Sequence, residues 1–105
     1  FYFRGYEVKM TRSNILNTLR EQKTYIQKTY EVEKIGLFGS YVNDTQKEDS
    51  DIDIYVEFNN KTFDNIAGLW NYLEVIYHKK IDLVYKHRNS NDVIFNRIQK
   101  EVIYG

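Results

Sequence analysis

Two carboxylates separated by one residue, Asp51 and Asp53, stand in the run Asp51 to Phe58, where Ile52, Ile54, Val56 and Phe58 alternate with Asp51, Asp53, Tyr55 and Glu57. Successive side chains of a β-strand point to opposite faces, so this spacing puts both carboxylates on one face, close together. Like charges that near each other disfavour ionisation. A divalent cation between them removes the penalty, and hard oxygen donors are what Mg²⁺ takes. A lone Asp-x-Asp is also what an exposed acidic strand face looks like. A third carboxylate, Asp82, interrupts the apolar run Ile81-Asp82-Leu83-Val84-Tyr85. If that strand pairs beside 51–58, Asp82 joins the other two; otherwise it is an edge-strand acid facing water. Upstream, Gly39-Ser40 follows Lys34-Ile35-Gly36-Leu37-Phe38 and can open a helical turn at Tyr41-Val42. Free backbone N–H groups at such a turn bind phosphate, glycine permits close backbone approach, and a serine hydroxyl donates to a phosphate oxygen. A turn of this kind beside a carboxylate cluster holding Mg²⁺ supplies both halves of a nucleoside-triphosphate site.

The elements that must position these groups follow from periodicity. Thr11 or Ser13 caps a helix with Ile15, Leu19, Ile26 and Tyr30 on one face. Residues 34–38 form a short strand, and 51–58 a second. Asp64 is expected to cap a helix with Ile66, Leu69, Trp70, Leu73 and Tyr77 on its apolar face. Residues 81–85 form a third strand, and Ser90 or Asn91 opens a last helix carrying Ile94, Ile98 and Val102. The order α-β-β-α-β-α predicts an α+β fold, a two-layer arrangement of a small mixed β-sheet with packed helices.

Composition narrows the class. At 105 residues, with 42% hydrophobic and 16% aromatic residues, the chain suits one folded domain rather than a disordered segment. The absence of cysteine excludes disulfides, thiolate zinc sites and a cysteine nucleophile. No apolar run reaches the roughly 18 residues of a membrane span, which predicts a cytoplasmic protein. Net charge is zero, which disfavours a nucleic-acid acceptor. The charge is nevertheless uneven. Six acids lie between Asp44 and Glu57 against Lys47 alone, while Lys79 to Lys100 holds six Lys or Arg against Asp82 and Asp92. An acidic segment in a chain otherwise biased positive suits a cation site as well as a solvated loop. The chain starts at Phe1, and Met10 is its only methionine. Residues 1–9 are expected to be a tag remnant or a disordered arm, with a single domain over 10–105.

Taken together, Gly39-Ser40, ten residues, Asp51-Ile52-Asp53 and a later-strand Asp82 resemble the nucleotidyltransferase superfamily typified by DNA polymerase beta. Leu37-Phe38-Gly39-Ser40-Tyr41 with Ser50 to Phe58 is most similar to its minimal nucleotidyltransferases (MNT), and Ile98 to Tyr104 resembles the usual end of those proteins. The resemblance covers Met10 to Tyr104. It implies that Asp51 and Asp53 hold two Mg²⁺ ions, that Asp82 shares the metal activating the incoming hydroxyl and helps take its proton, and that Gly39 and Ser40 grip the distal phosphates of ATP. It further implies an antitoxin that moves AMP from ATP to a tyrosine of a HEPN-domain ribonuclease toxin, with that toxin as partner. A binding-only antitoxin, or a transferase acting on a small molecule such as an aminoglycoside, are the alternatives.

One departure bears on catalysis. The resembling proteins commonly carry Arg-Gly shortly after the Gly-Ser, where this chain has Asn43-Asp44. Losing an arginine beside a triphosphate removes a charge-assisted contact, with Lys47, Lys79, Lys80 or Arg88 as compensating cations. His78 and His87 flank a strand at poor metal spacing and read as surface residues. The ten tyrosines could stack on bases but mostly occupy packing positions, and Trp70, Leu73 and Tyr77 read as core.

Overall fold

The computed structural model describes residues 10–86 and 92–105. Residues 1–9, the cap expected at Ser90 or Asn91, and His87 and Arg88 lie outside the described residues. The first helix, α1 (Arg12–Tyr30), starts where Thr11 turns extended and its Oγ1 accepts a hydrogen bond from the Asn14 amide at 3.1 Å. It stops at Glu31, a left-handed residue whose N–H donates to the Gln27 carbonyl. Ile15, Leu16, Leu19 and Ile26 are buried, so Leu16 widens the expected stripe. Tyr30 stays partly buried, its ring against Gly68 and close to Tyr25 and Tyr72.

The strands β1 (Val32–Phe38), β2 (Ile52–Phe58), β3 (Ile81–Tyr85) and β4 (Ile103–Tyr104) form one mixed sheet in the order β3-β2-β1-β4. β1 runs antiparallel to β2 and β4, whereas β2 and β3 are parallel. Between β2 and β3 lies α3 (Phe63–Tyr77), the crossover helix that a parallel pair requires. Its N-cap is Thr62 rather than Asp64: Thr62 Oγ1 accepts from the Asn65 amide at 3.1 Å, and Asp64 instead sits in the first turn, where its charge favours the helix dipole. Leu69, Leu73 and Tyr77 are buried as expected. Trp70 Nε1 donates to the Ile81 carbonyl at 2.8 Å, and the Tyr77 hydroxyl donates to the Ile15 carbonyl at 2.8 Å, joining α3 to β3 and to α1. Burial of Tyr77 holds its hydroxyl protonated well above the usual phenol range.

Ile52, Ile54 and Val56 are fully buried in one core cluster with the apolar faces of α1 and α3. Full burial of each such side chain contributes roughly 1.5–3 kcal/mol. The opposite sheet face is not simply polar. Tyr55, expected to face outward with Asp53 and Glu57, is buried at 1% exposure, because α4 (Asp92–Glu101) lies over it. The rings of Phe95 and Tyr55 are 6.3 Å apart, and Gln99 Nε2 donates to the Tyr55 hydroxyl at 3.3 Å. The inward residue of α4 is therefore Phe95, while Ile94, expected inward, is exposed.

The helix expected to run on through Val102 stops at Glu101, and β4 follows. Gly36 explains the closure. A Cβ there would stand 2.6 Å from Val102 Cγ2 and 2.8 Å from the Ile103 carbonyl oxygen, so only glycine admits β4 against β1. Gly105 extends the join, its N–H donating to the Ile35 carbonyl at 2.9 Å. Among the described residues no helix is long and apolar enough to cross a membrane.

Candidate active site

Strand register assembles the site. In the antiparallel pair of β1 and β2, Phe38 lies opposite Asp53, which brings the next residue, Gly39, against that carboxylate. Gly39 has φ +80, and a Cβ on it would fall 2.1 Å from Asp53 Oδ2. Both its backbone conformation and its neighbour require glycine. Its carbonyl accepts from the Val42 and Asn43 amides at 3.0 Å each, closing the short helical turn α2 (Ser40–Asn43). Tyr41, buried at 2% exposure, anchors that turn in the core. The turn expected at Tyr41-Val42 thus begins one residue earlier, and the Ser40 backbone N–H donates to the Asp53 carboxylate.

Parallel pairing of β2 and β3 sets Asp53 beside Asp82. Burial raises the Asp53 carboxyl from 3.8 to about 6; the negative charge of Asp82 adds to this, the Ser40 N–H opposes it, and a hydrogen bond with Asp82 and the charge of Asp51 contribute further. Asp82 is exposed on an edge strand, so the apolar run it interrupts buries no uncompensated charge. The two outcomes left open for Asp82 are both realised: it faces water, and it stands beside Asp53. Asp51 precedes β2, is exposed, and acts on Asp53 through its charge. Among the described residues, no three or more His, Asp or Glu side chains converge as a group able to hold a metal ion. The structure therefore brings together Asp53, Asp82, Gly39 and Ser40, with Asp51 exposed one residue before β2. The oxygens of these acids are the donor type that Mg²⁺ takes, and their crowded like charges are what a cation relieves, so the residues fit such an ion in chemistry.

Alongside Gly39 and Ser40 opens a cleft of about 380 Å³, walled on one side by Phe38 and α2 and on the other by Ile94, Arg97 and Ile98 of α4. Asn43, in the place where the resembling proteins carry arginine, lines it, whereas Asp44 closes α2 in a left-handed conformation with its N–H on the Ser40 carbonyl. None of Lys47, Lys79 and Lys80 lines it, and Lys79 donates to the Glu48 carbonyl at 3.0 Å. Arg97, which no sequence motif singled out, does line it. Its place in the cleft depends on α4 folding back over Tyr55, which no local pattern announces. His78 is the exposed left-handed cap of α3, in keeping with a surface role.

A family model described as "Polymerase beta, Nucleotidyltransferase" matches residues 20–105. The chain belongs to this family of nucleotidyltransferases. It is 40% identical over 97 residues to a Methanocaldococcus jannaschii protein provisionally named a protein adenylyltransferase, covering 90% of this chain and 97% of that relative. It is 33% identical over 96 residues to the protein adenylyltransferase MntA of Thermococcus cleftensis, covering 90% and 96%. A solved structure described as a minimal nucleotidyltransferase superposes with TM-score 0.76 at 23% identity, over 92% of this chain and 98% of that one, and so shares the fold. A toxin–antitoxin crystal structure with AMP-PNP superposes with TM-score 0.60 at 30% identity, over 90% and 72%. The nucleotidyltransferase assignment makes a nucleotide the substrate class, and the α+β fold with its mixed sheet matches that of the family.

Proposed function

We propose that this nucleotidyltransferase is a protein adenylyltransferase, moving AMP from ATP to a tyrosine of a HEPN ribonuclease toxin and acting as its antitoxin. The observation that carries the reading is Asp53, held between the Ser40 N–H and Asp82 and packed against Gly39, which lines the cleft. Relatives named protein adenylyltransferases cover nearly the whole chain, and a toxin–antitoxin neighbour holds an ATP analogue; both support it.

In this reading Gly39 and Ser40 grip the distal phosphates, and Ser40 also fixes Asp53. The acceptor tyrosine oxygen attacks the α-phosphorus, the bond to the β-phosphate oxygen breaks, and pyrophosphate leaves. Asp82, exposed beside Asp53, takes the hydroxyl proton. Asp51, Asp53 and Asp82 would hold two Mg²⁺ ions, whose chemistry is neutralisation of phosphate charge. Asn43 lines the cleft where the resembling proteins carry arginine, and this favours one second reading, an antitoxin of weak catalysis that silences its partner by contact.

The test is intact mass of the neighbouring HEPN protein, co-expressed with this chain or with its Asp53→Asn variant. Mass gained in steps of one AMP only with the unsubstituted chain is expected. An unmodified yet bound and silenced partner would establish the contact reading and sink the transfer.

A further inference from the structure

We propose that Arg97 is a positioning residue for the nucleotide, holding its polyphosphate tail against the Gly39–Ser40 side of the cleft; this rests on the nucleotidyltransferase reading of that site. Among the described residues lining the cleft, Arg97 is the sole Lys or Arg. The charges behind the Gly39 wall of that cleft are unfavourable to an anion. Asp53 abuts Gly39, with Asp82 beside it and Asp51 near. A polyphosphate entering there needs an opposing cation, and a guanidinium presents a planar fork of donors matched to phosphate oxygens.

The rest of the cleft suits a nucleotide. Ile94 and Ile98 occupy successive turns of the same helix and, with Phe38, give apolar lining to a cavity of about 380 Å³, a volume in the range of small-molecule sites. Glu101, one turn beyond Arg97 on α4, also lines the cleft. Its charge penalises an anion and favours hydroxyls. Acid and guanidinium one turn apart therefore fix which way round the nucleotide lies, tail toward Arg97 and ribose toward Glu101. The helix that carries both is held independently of them, by Phe95 on the Tyr55 ring and Gln99 on the Tyr55 hydroxyl. Substitution at Arg97 should thus leave the fold intact.

The experiment is calorimetric binding of ATP, inorganic tripolyphosphate and adenosine to the whole chain and to Arg97→Ala, Arg97→Lys and Glu101→Gln, with thermal melts of each. Arg97→Ala is expected to weaken ATP and tripolyphosphate by about tenfold or more, the scale of a lost charge-assisted hydrogen bond, and to leave adenosine binding and the melt unchanged. Arg97→Lys recovers part of the loss, Glu101→Gln tightens tripolyphosphate, and in transfer assays Arg97→Ala raises KM for ATP with kcat retained. ATP affinity unchanged in Arg97→Ala, or ATP and adenosine weakened equally, overturns the assignment. An unsubstituted chain that transfers AMP while Arg97→Ala binds ATP equally well removes only the role of Arg97. An unsubstituted chain that binds neither ATP nor tripolyphosphate removes the nucleotide reading along with it.

Discussion

Replacing Asp53 by Asn should abolish AMP transfer and at the same time make the metal-free protein more stable at neutral pH. In the unfolded chain the carboxyl ionises near 3.8; in the fold it does so only at about 6, first because of burial and then because of Asp82. Between those two values the unfolded state has released a proton that the folded state still holds, so stability falls as pH rises through the window and the full penalty is present above it. Taken at about 1.36 kcal/mol per unit of pKa, the rise would amount to ~3 kcal/mol. Asp53 is only partly buried, and solvent screening reduces this to about 1 kcal/mol. Asparagine keeps an oxygen for the Ser40 N–H and offers Asp82 an amide donor in place of a second negative charge. Thermal melts in a chelator at pH 7.5 should place Asp53→Asn above the unsubstituted chain by roughly 4–8 °C, the usual response of a domain near this size to 1 kcal/mol. Near pH 4 the difference should vanish. A variant no more stable at pH 7.5, or an advantage undiminished at pH 4, refutes the electrostatic account of this pair.

Mg²⁺ titrated into the unsubstituted chain at pH 7.5 should raise its melting temperature, leave Asp53→Asn unmoved, and bind more weakly below pH 6, where the ion competes with the Asp53 proton; equal affinity at pH 5 and pH 7.5 by calorimetry would contradict the ligand role. Gly39→Ala should be destabilised by more than about 1 kcal/mol and inactive, since its methyl group meets Asp53 Oδ2 in a backbone conformation with φ +80; a melt matching the parent would exclude the clash. Gly36→Val should detach β4 while leaving β1 and β2 paired, read as lost hydrogen-exchange protection at the Gly105 amide but not at the amides of β2. Thr11→Ala should lower stability by about 1 kcal/mol in urea unfolding, through loss of the bond from the Asn14 amide.

The site was legible in the sequence to the extent that its residues are close along the chain or fixed by strand alternation. Asp53 stands on the face opposite Ile52 and Ile54 because a strand has a period of two, Asp51 falls one residue before β2, and Gly39-Ser40 announces a turn by residue type alone. What no local pattern could supply was register. That Asp53 lies opposite Phe38 and beside Asp82 depends on how β1, β2 and β3 slide against each other, and a slip of one residue would turn the carboxylates away. Thr62 takes the cap from Asp64, two residues later and already in the first turn, because both residue types can cap and local pattern does not choose between them. Tyr55 looked outward because its burial comes from α4, forty residues later. β4 was hidden because Ile103-Tyr104 continues a helical pattern, and the signal for it sits in Gly36, on a different strand.

The two glycines divide the work of building the cleft. Gly36 admits β4, and β4 ties down the end of α4, so that the helix lies back across Tyr55 and presents Arg97 to the cleft. Gly39 admits Asp53 to the backbone turn on the other wall. Neither glycine touches the core that Ile52, Ile54 and Val56 form on the opposite sheet face with α1 and α3. The apolar face can therefore carry the stability of the fold while the other face holds carboxylates that repel one another. A cluster of acids that weakens the isolated protein is a poor structural feature and a good receptor for positive charge. Beside a cleft where Arg97 is the one Lys or Arg among the described lining residues, such a cluster suits a ligand that brings both a cation and an anion, as a metal-bound nucleotide does.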